Sequence, residues 1–142
     1  MRHKLAKWLA SSPAERRLLL EAWLLLAGVG AGLRFLPLRR LQDLLLRSNR
    51  LRRLPSGDPE RMARLVGIAS RHQIWEVRCL ERSLVLQALL ARCGTCPDLR
   101  IGVRREGDTL YAHAWIEVEG RPVGEARDIA GSFRPFPGAF SA

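Results

Sequence analysis

Hydrophobic residues follow a helical period in the first two thirds of the chain and alternate as in strands after it. Leu-rich segments predict helices at 13–28, from Pro37 onward and at 79–93, and the break at 55–58 predicts another helix at 59–70. Three later segments predict strands, at 99–105, 111–118 and 122–126. The order indicates an α+β fold, with N-terminal helices and a central helix packed on a small antiparallel sheet.

Local signals mark where these elements begin and end. Ser12, Pro13 and Glu15 form a capping box with proline at the first helical position. Asp58 is suited to cap the third helix and Gly94 to end the fourth. The first helix is expected to end near its three glycines, at 28, 30 and 32, and the tail after 131 to be irregular.

Charge is distributed unevenly along the chain, whose net charge is +10. Residues 1–54 contain 12 Arg and Lys against 3 Asp and Glu, whereas residues 55–142 contain 12 against 11. We predict a basic, Leu-rich helical region at 1–54 and a second region at 55–142, together forming one compact domain, 1–142. The positive charge favours anionic partners without choosing among them, and no recognised motif indicates specific binding of nucleic acid.

Membrane insertion and disulfide bonding are not expected. The longest apolar stretch, 22–33, has twelve residues, whereas a spanning helix needs about 20. No small-residue cleavage site follows it, and three closely placed cysteines do not form a disulfide framework. We expect a cytoplasmic protein, with peripheral contact to a membrane left open.

Cys79 and His113 are the candidate nucleophile and general base. A helix N-terminus stabilises a thiolate through its unpaired N–H groups, and Cys79 stands where the fourth helix is predicted to begin. These N–H groups are also suited to hold an oxyanion. A cysteine there is more commonly a small core residue, and His113 favours the catalytic interpretation. It lies with Trp115 on the polar-aromatic face of the second strand, away from the apolar face.

Hairpin geometry suggests the third partner. A three-residue loop at 118–120 would place Glu117 opposite Arg121 and therefore His113 opposite Glu125. Opposed side chains lie about 5 Å apart at Cβ, so Glu125 is predicted to orient the imidazole. A two-residue loop would change this register, and Asp128 is the alternative acid.

Three sequence stretches carry a resemblance to a known family. They are Arg-Cys-Leu-Glu-Arg-Ser-Leu at 78–84, Ile-Gly-Val-Arg at 101–104 and Ala-His-Ala-Trp-Ile-Glu-Val at 112–118. Together they resemble the leader-peptidase domain of the lasso-peptide biosynthesis B proteins, in the transglutaminase-like cysteine protease superfamily. The resemblance implies that 55–142 is a cysteine peptidase core with Cys79 as nucleophile and His113 as base. The family commonly has Asn-Asp where this chain has Gly124 and Glu125, so the third member departs from the pattern.

The same resemblance implies the partners. The substrate would be a ribosomally made precursor peptide, presented by a separate leader-recognition protein and passed to an ATP-dependent cyclase. The basic helices of 1–54 would serve as a docking surface for the recognition protein or the cyclase, with a solvated positive face as the alternative, and no cofactor or metal is expected. The alternatives are another transglutaminase-like acyl transferase and a non-enzymatic basic binding protein.

Further residues have weaker signals. Gln73, six residues before Cys79, is a candidate oxyanion-hole amide, and Trp75 and Trp115 are candidate cleft walls. Cys93 and Cys96 match a redox spacing, but Cys93 ends a helix instead of beginning one, and a structural zinc site needs four ligands. We therefore predict no redox or metal role for this pair. His3 and His72 have no evident partner.

Overall fold

The computed structural model describes residues 12–49, 53–137 and 140–141, so His3 and much of the basic N-terminus lie outside the described residues. The helices are α1 Pro13–Phe35, α2 Leu38–Asn49, α3 Pro59–Arg71, α4 Cys79–Arg92 and α5 Ile129–Ser132. The strands are β1 Pro97–Glu106, β2 Thr109–Val118, β3 Arg121–Val123, β4 Arg134–Pro135 and β5 Phe140–Ser141. The predicted α+β class, with helices preceding an antiparallel sheet, is confirmed.

The predicted helix starts are present with their caps. The Glu15 N–H donates to Ser12 Oγ at 3.2 Å, and the Ser12 N–H donates back to the Glu15 carboxylate at 3.3 Å. The Asp58 carboxylate likewise accepts the Glu60 N–H at 3.1 Å at the start of α3. Such caps satisfy N–H groups that have no partner within the helix.

The predicted end of α1 is wrong, because the helix continues through its glycines to Phe35. It ends before Pro37, where Leu36 is extended at φ −121° and ψ 140°, as the residue before a proline prefers. Gly32 instead permits close packing, since a Cβ there would lie 2.8 Å from Leu41 Cδ1 of α2. The glycine therefore allows two helices to approach instead of ending one.

The greater length of α1 also corrects the estimate based on its apolar stretch. The 23-residue helix is long and apolar enough to cross a membrane, with a mean hydropathy of 1.6 over 18 residues. This is weak evidence, since the core helix of a soluble protein or a signal sequence passes the same test. Ala22, Leu26 and Val29 are at most 1% exposed within the fold.

In the described part of the chain, one hydrophobic core connects the helices to one face of the sheet. It includes Leu26 of α1, Leu41 of α2, Val66 of α3 and Ile116 of β2 around the buried α4. A buried hydrogen bond of 2.7 Å from Gln42 Nε2 to Gln87 Oε1 joins α2 to α4. The basic N-terminal helices thus share their core with the later part of the chain.

The sheet is antiparallel, in the order β3-β2-β1-β4, with β5 also paired to β1. β1 and β2 form a hairpin of ten residue pairs, from Pro97 opposite Val118 to Glu106 opposite Thr109. The tail predicted to be irregular contains β4 and β5, so that prediction is wrong in part. Paired backbone on the second edge of β1 explains the difference.

The second hairpin differs from its predicted register. Val118 pairs with Arg121 around a two-residue turn of Glu119 at φ 52° and Gly120 at φ 74°. Two consecutive positive φ angles are typical of the tight turns that match strand twist. The predicted three-residue loop is therefore wrong, and β3 ends at Val123 instead of residue 126.

Candidate active site

Cys79 is the first residue of α4, as predicted, and is half-buried against the core. The N-cap residue, Arg78, makes no side-chain cap, and its N–H donates to Glu81 Oε2 at 3.3 Å. Among the described hydrogen bonds, none uses the N–H of Cys79 or Leu80. The start of α4 thus presents donors suited to an oxyanion beside the thiol.

A direct contact joins this helix to the strand that carries His113. Ser83 follows Cys79 by one turn on the same helix face, and its Oγ donates to the Ala114 carbonyl at 3.0 Å. Ala114 is the residue after His113. The N-terminal end of α4 is therefore held against the part of β2 that carries the imidazole.

The predicted face of His113 is confirmed. Ala114 and Ile116 belong to the core, whereas the His113 ring lies 6.2 Å from the Trp115 ring and 5.3 Å from the Phe133 ring, between centroids. Phe133 contacts the imidazole from the segment after α5, a role that the sequence reasoning missed. Phe133 stands close to Phe136 near the end of the sequence, and these two aromatic residues were the available signal.

The imidazole and the predicted acid are in contact. His113 Nε2 and Glu125 Oε1 are 3.0 Å apart, and the two side chains are 19% and 23% exposed. A carboxylate at Nε2 favours the tautomer with its proton there, which makes Nδ1 the basic nitrogen. Asp128 is instead the exposed N-cap residue of α5, where its carbonyl accepts the Gly131 and Ser132 N–H groups.

Glu125 contacts His113 from a segment outside the sheet, because the chain leaves β3 after Val123. β3 pairs only with residues 116–118 of β2, so its last residue, Val123, faces Ile116. Gly124 then turns at φ 70°, and its N–H donates to both carboxylate oxygens of Glu60 at 3.1 and 3.2 Å. A Cβ on Gly124 would lie 2.8 Å from that of Ala63. α3 therefore fixes the turn that directs Glu125 to the histidine.

No hydrogen bond joins Cys79 to His113 among those of the described residues. Catalytic hydrogen bonds are often long or poorly aligned before substrate binds. The catalytic roles of Cys79, His113 and Glu125 stay predictions.

Gln73 makes a structural contact. Its Nε2 donates to the Trp23 carbonyl at 2.7 Å, while Trp23 Nε1 donates to the His72 carbonyl at 3.2 Å. These bonds fasten the end of α3 to α1, and the role of Gln73 as an oxyanion donor stays a prediction.

The two candidate wall residues differ in exposure. Trp115 is 1% exposed and donates to Glu117 Oε1 at 3.0 Å, so it is mainly a core residue. Trp75, 36% exposed, lines a cleft of about 580 Å³ between α1 and the start of α4.

The other two cysteines differ in their surroundings. Burial raises the pKa of the Cys93 thiol, whereas Cys96 is exposed, and both are free. In the described part of the chain, no group of three or more His, Cys, Asp or Glu side chains could hold a metal ion.

A family match to known proteins is consistent with this fold. The transglutaminase-like superfamily core domain matches residues 23–137, so the chain belongs to the transglutaminase-like superfamily. Its members are commonly cysteine hydrolases or transferases. No curated protein and no solved structure gave a significant match.

Proposed function

We propose that this protein is a cysteine peptidase that removes the leader from a lasso-peptide precursor. The contact of His113 with Glu125 at 3.0 Å, beside a helix that begins with Cys79, carries the proposal. Membership of the transglutaminase-like superfamily and the sequence resemblance support it further.

The chemistry proceeds through a thioester. His113 Nδ1 takes the Cys79 proton, the thiolate attacks the scissile carbonyl, and N–H groups at the start of α4 stabilise the oxyanion. The imidazolium then protonates the leaving amine as the C–N bond breaks. Water, deprotonated by His113, hydrolyses the thioester and restores the thiol, while the Glu125 carboxylate holds the imidazole in place.

The proposal includes partners and a location. A separate recognition protein would present the leader, and the ATP-dependent cyclase would take the released core peptide. The exposed arginines of α2, such as Arg40 and Arg47, belong to the basic surface proposed for docking. The reaction would take place in the cytoplasm, with contact at a membrane surface as an additional proposal.

Leader release, measured by mass spectrometry on the precursor with the recognition partner, tests the function. Wild-type protein should cleave, and Cys79→Ala should not. Cleavage by Cys79→Ala would refute the proposal. Activity retained in Glu125→Ala but lost in Asp128→Ala would assign the acid to Asp128.

Two further outcomes would replace the proposal. Preferential transfer of the leader to an added primary amine would identify an acyl transferase. Absence of cleavage, together with micromolar, salt-dependent binding of random DNA, would identify a basic binding protein.

A further inference from the structure

A surface cleft lies next to Glu125. A cleft of about 390 Å³ lies between α3, the first turns of α4 and the end of β3. Its floor is largely apolar and includes Val66, Leu86 and Ile116, all buried. Glu125 lines the cleft, so this cavity adjoins the acid of the candidate triad.

Three arginines also line this cleft. Arg64 and Arg71 lie two turns apart on α3, and Arg82 lies in the first turn of α4. All three are exposed. Glu125 is the one carboxylate among the described residues of the lining, and it is bonded to His113. The cleft therefore carries a local excess of positive charge.

Among the residues that the structure describes, little of that charge is neutralised. Arg64 has a long ion pair of 4.0 Å with Asp58, in which both side chains are more than half exposed. Within the described chain, Arg71 and Arg82 have no ion-pair partner. Two guanidinium groups beside an apolar floor can bind a carboxylate through several charge-assisted hydrogen bonds.

We propose that this cleft binds an aspartate or glutamate side chain of the peptide substrate, close to the scissile bond. The inference rests on the proposed peptidase function and names a specificity site for it. A peptide suits the cleft better than a nucleic acid, because the aromatic residue in its lining, Trp115, is 1% exposed and offers no face for base stacking.

Peptide binding to full-length Cys79→Ala protein tests this inference without cleavage. Fluorescence anisotropy compares a labelled precursor segment that contains Glu near the cleavage site with the same segment containing Gln. The Glu peptide should bind at least about tenfold more tightly, as expected for hydrogen bonds to a charged group. Adding Arg71→Gln and Arg82→Gln to the Cys79→Ala protein should remove the preference for the Glu peptide. Arg121 is exposed on the β2–β3 hairpin, away from the cleft lining, and adding Arg121→Gln instead should retain the preference.

Circular dichroism checks that each variant is folded, and Arg71→Lys with Arg82→Lys retains the charge as a second comparison. Equal affinity for the two peptides, no binding of the Glu peptide, or equal effects of the cleft and Arg121 substitutions would overturn the inference. Displacement by random single-stranded DNA as effective as by free Glu peptide would also overturn it. A Glu preference without wild-type cleavage would instead refute the peptidase function alone.

Discussion

Replacing Gly124 with alanine is expected both to displace the candidate acid and to lower the stability of the fold. This glycine separates β3 from Glu125, has a φ of 70°, and is bonded through its N–H to Glu60. The new methyl group would lie 2.8 Å from Ala63 Cβ, closer than two carbon atoms pack. Either α3 or the segment that carries Glu125 must therefore move.

The expected loss of folding free energy in Gly124→Ala has two parts. The left-handed conformation costs an L-residue about 1–2 kcal/mol, and overpacking costs about 1–3 kcal/mol. The free energy of unfolding should fall by about 2–5 kcal/mol in Gly124→Ala. Gly120→Ala is the matched control, because its φ is 74° and no atom lies within 4 Å of the new Cβ. Gly120→Ala should therefore lose only the cost of the left-handed conformation, about 1–2 kcal/mol.

Urea unfolding measures the loss of stability, and the kcat/KM of leader release measures the loss of activity. A displacement of about 1 Å in a positioned group can cost about 100-fold in rate, so Gly124→Ala should lose about 10- to 100-fold in kcat/KM. Gly120→Ala should retain nearly wild-type activity. Ala63→Gly removes the opposing methyl group and should restore most of the activity in the double variant, although glycine in the helix costs about 0.5–1 kcal/mol.

Equal stability and activity of Gly124→Ala and Gly120→Ala would refute this reasoning. Failure of Ala63→Gly to restore activity to Gly124→Ala would refute the assignment of the loss to that contact.

Three other substitutions test separate contacts. Glu125→Gln keeps the size of the side chain but removes the charge that stabilises the imidazolium, so kcat should fall at least about tenfold with KM unchanged. Gln42→Met should lower the free energy of unfolding, measured in urea, by about 0.5–1.5 kcal/mol, because the buried hydrogen bond between Gln42 and Gln87 is lost. The ion pair with Arg61 lowers the pKa of Glu15. Its stabilisation should therefore be present at pH 7, decline below about pH 4.3, and be lost as the pH falls through the lowered pKa of the folded state, so the melting temperatures of wild type and Glu15→Gln should approach each other over that range.

Helix starts could be predicted because capping is local. Ser12 and Asp58 need only the next few residues to satisfy exposed N–H groups. The end of α1 could not be predicted in this way. The role of Gly32 depends on Leu41, which lies on another helix.

The candidate site shows the same division. Strand alternation was sufficient to place His113 on its face, because that pattern has a period of two residues. The contact with Glu125 was predicted from an incorrect hairpin register, and the pair is instead brought together by the turn at Gly124. That turn depends on Glu60 and Ala63, about sixty residues earlier, which no local pattern connects to it.

Iodoacetamide labelling followed by peptide mapping measures each thiol separately and tests directly whether His113 activates Cys79. At about pH 6.5, where ordinary thiols are mostly protonated, half-buried Cys79 should react faster than exposed Cys96. Cys93 should react slowest, because burial raises its pKa. His113→Ala should slow Cys79 to below Cys96 and leave the other two unchanged. A Cys79 that reacts no faster than Cys96, or a rate that His113→Ala does not alter, would contradict the proposed nucleophile and base.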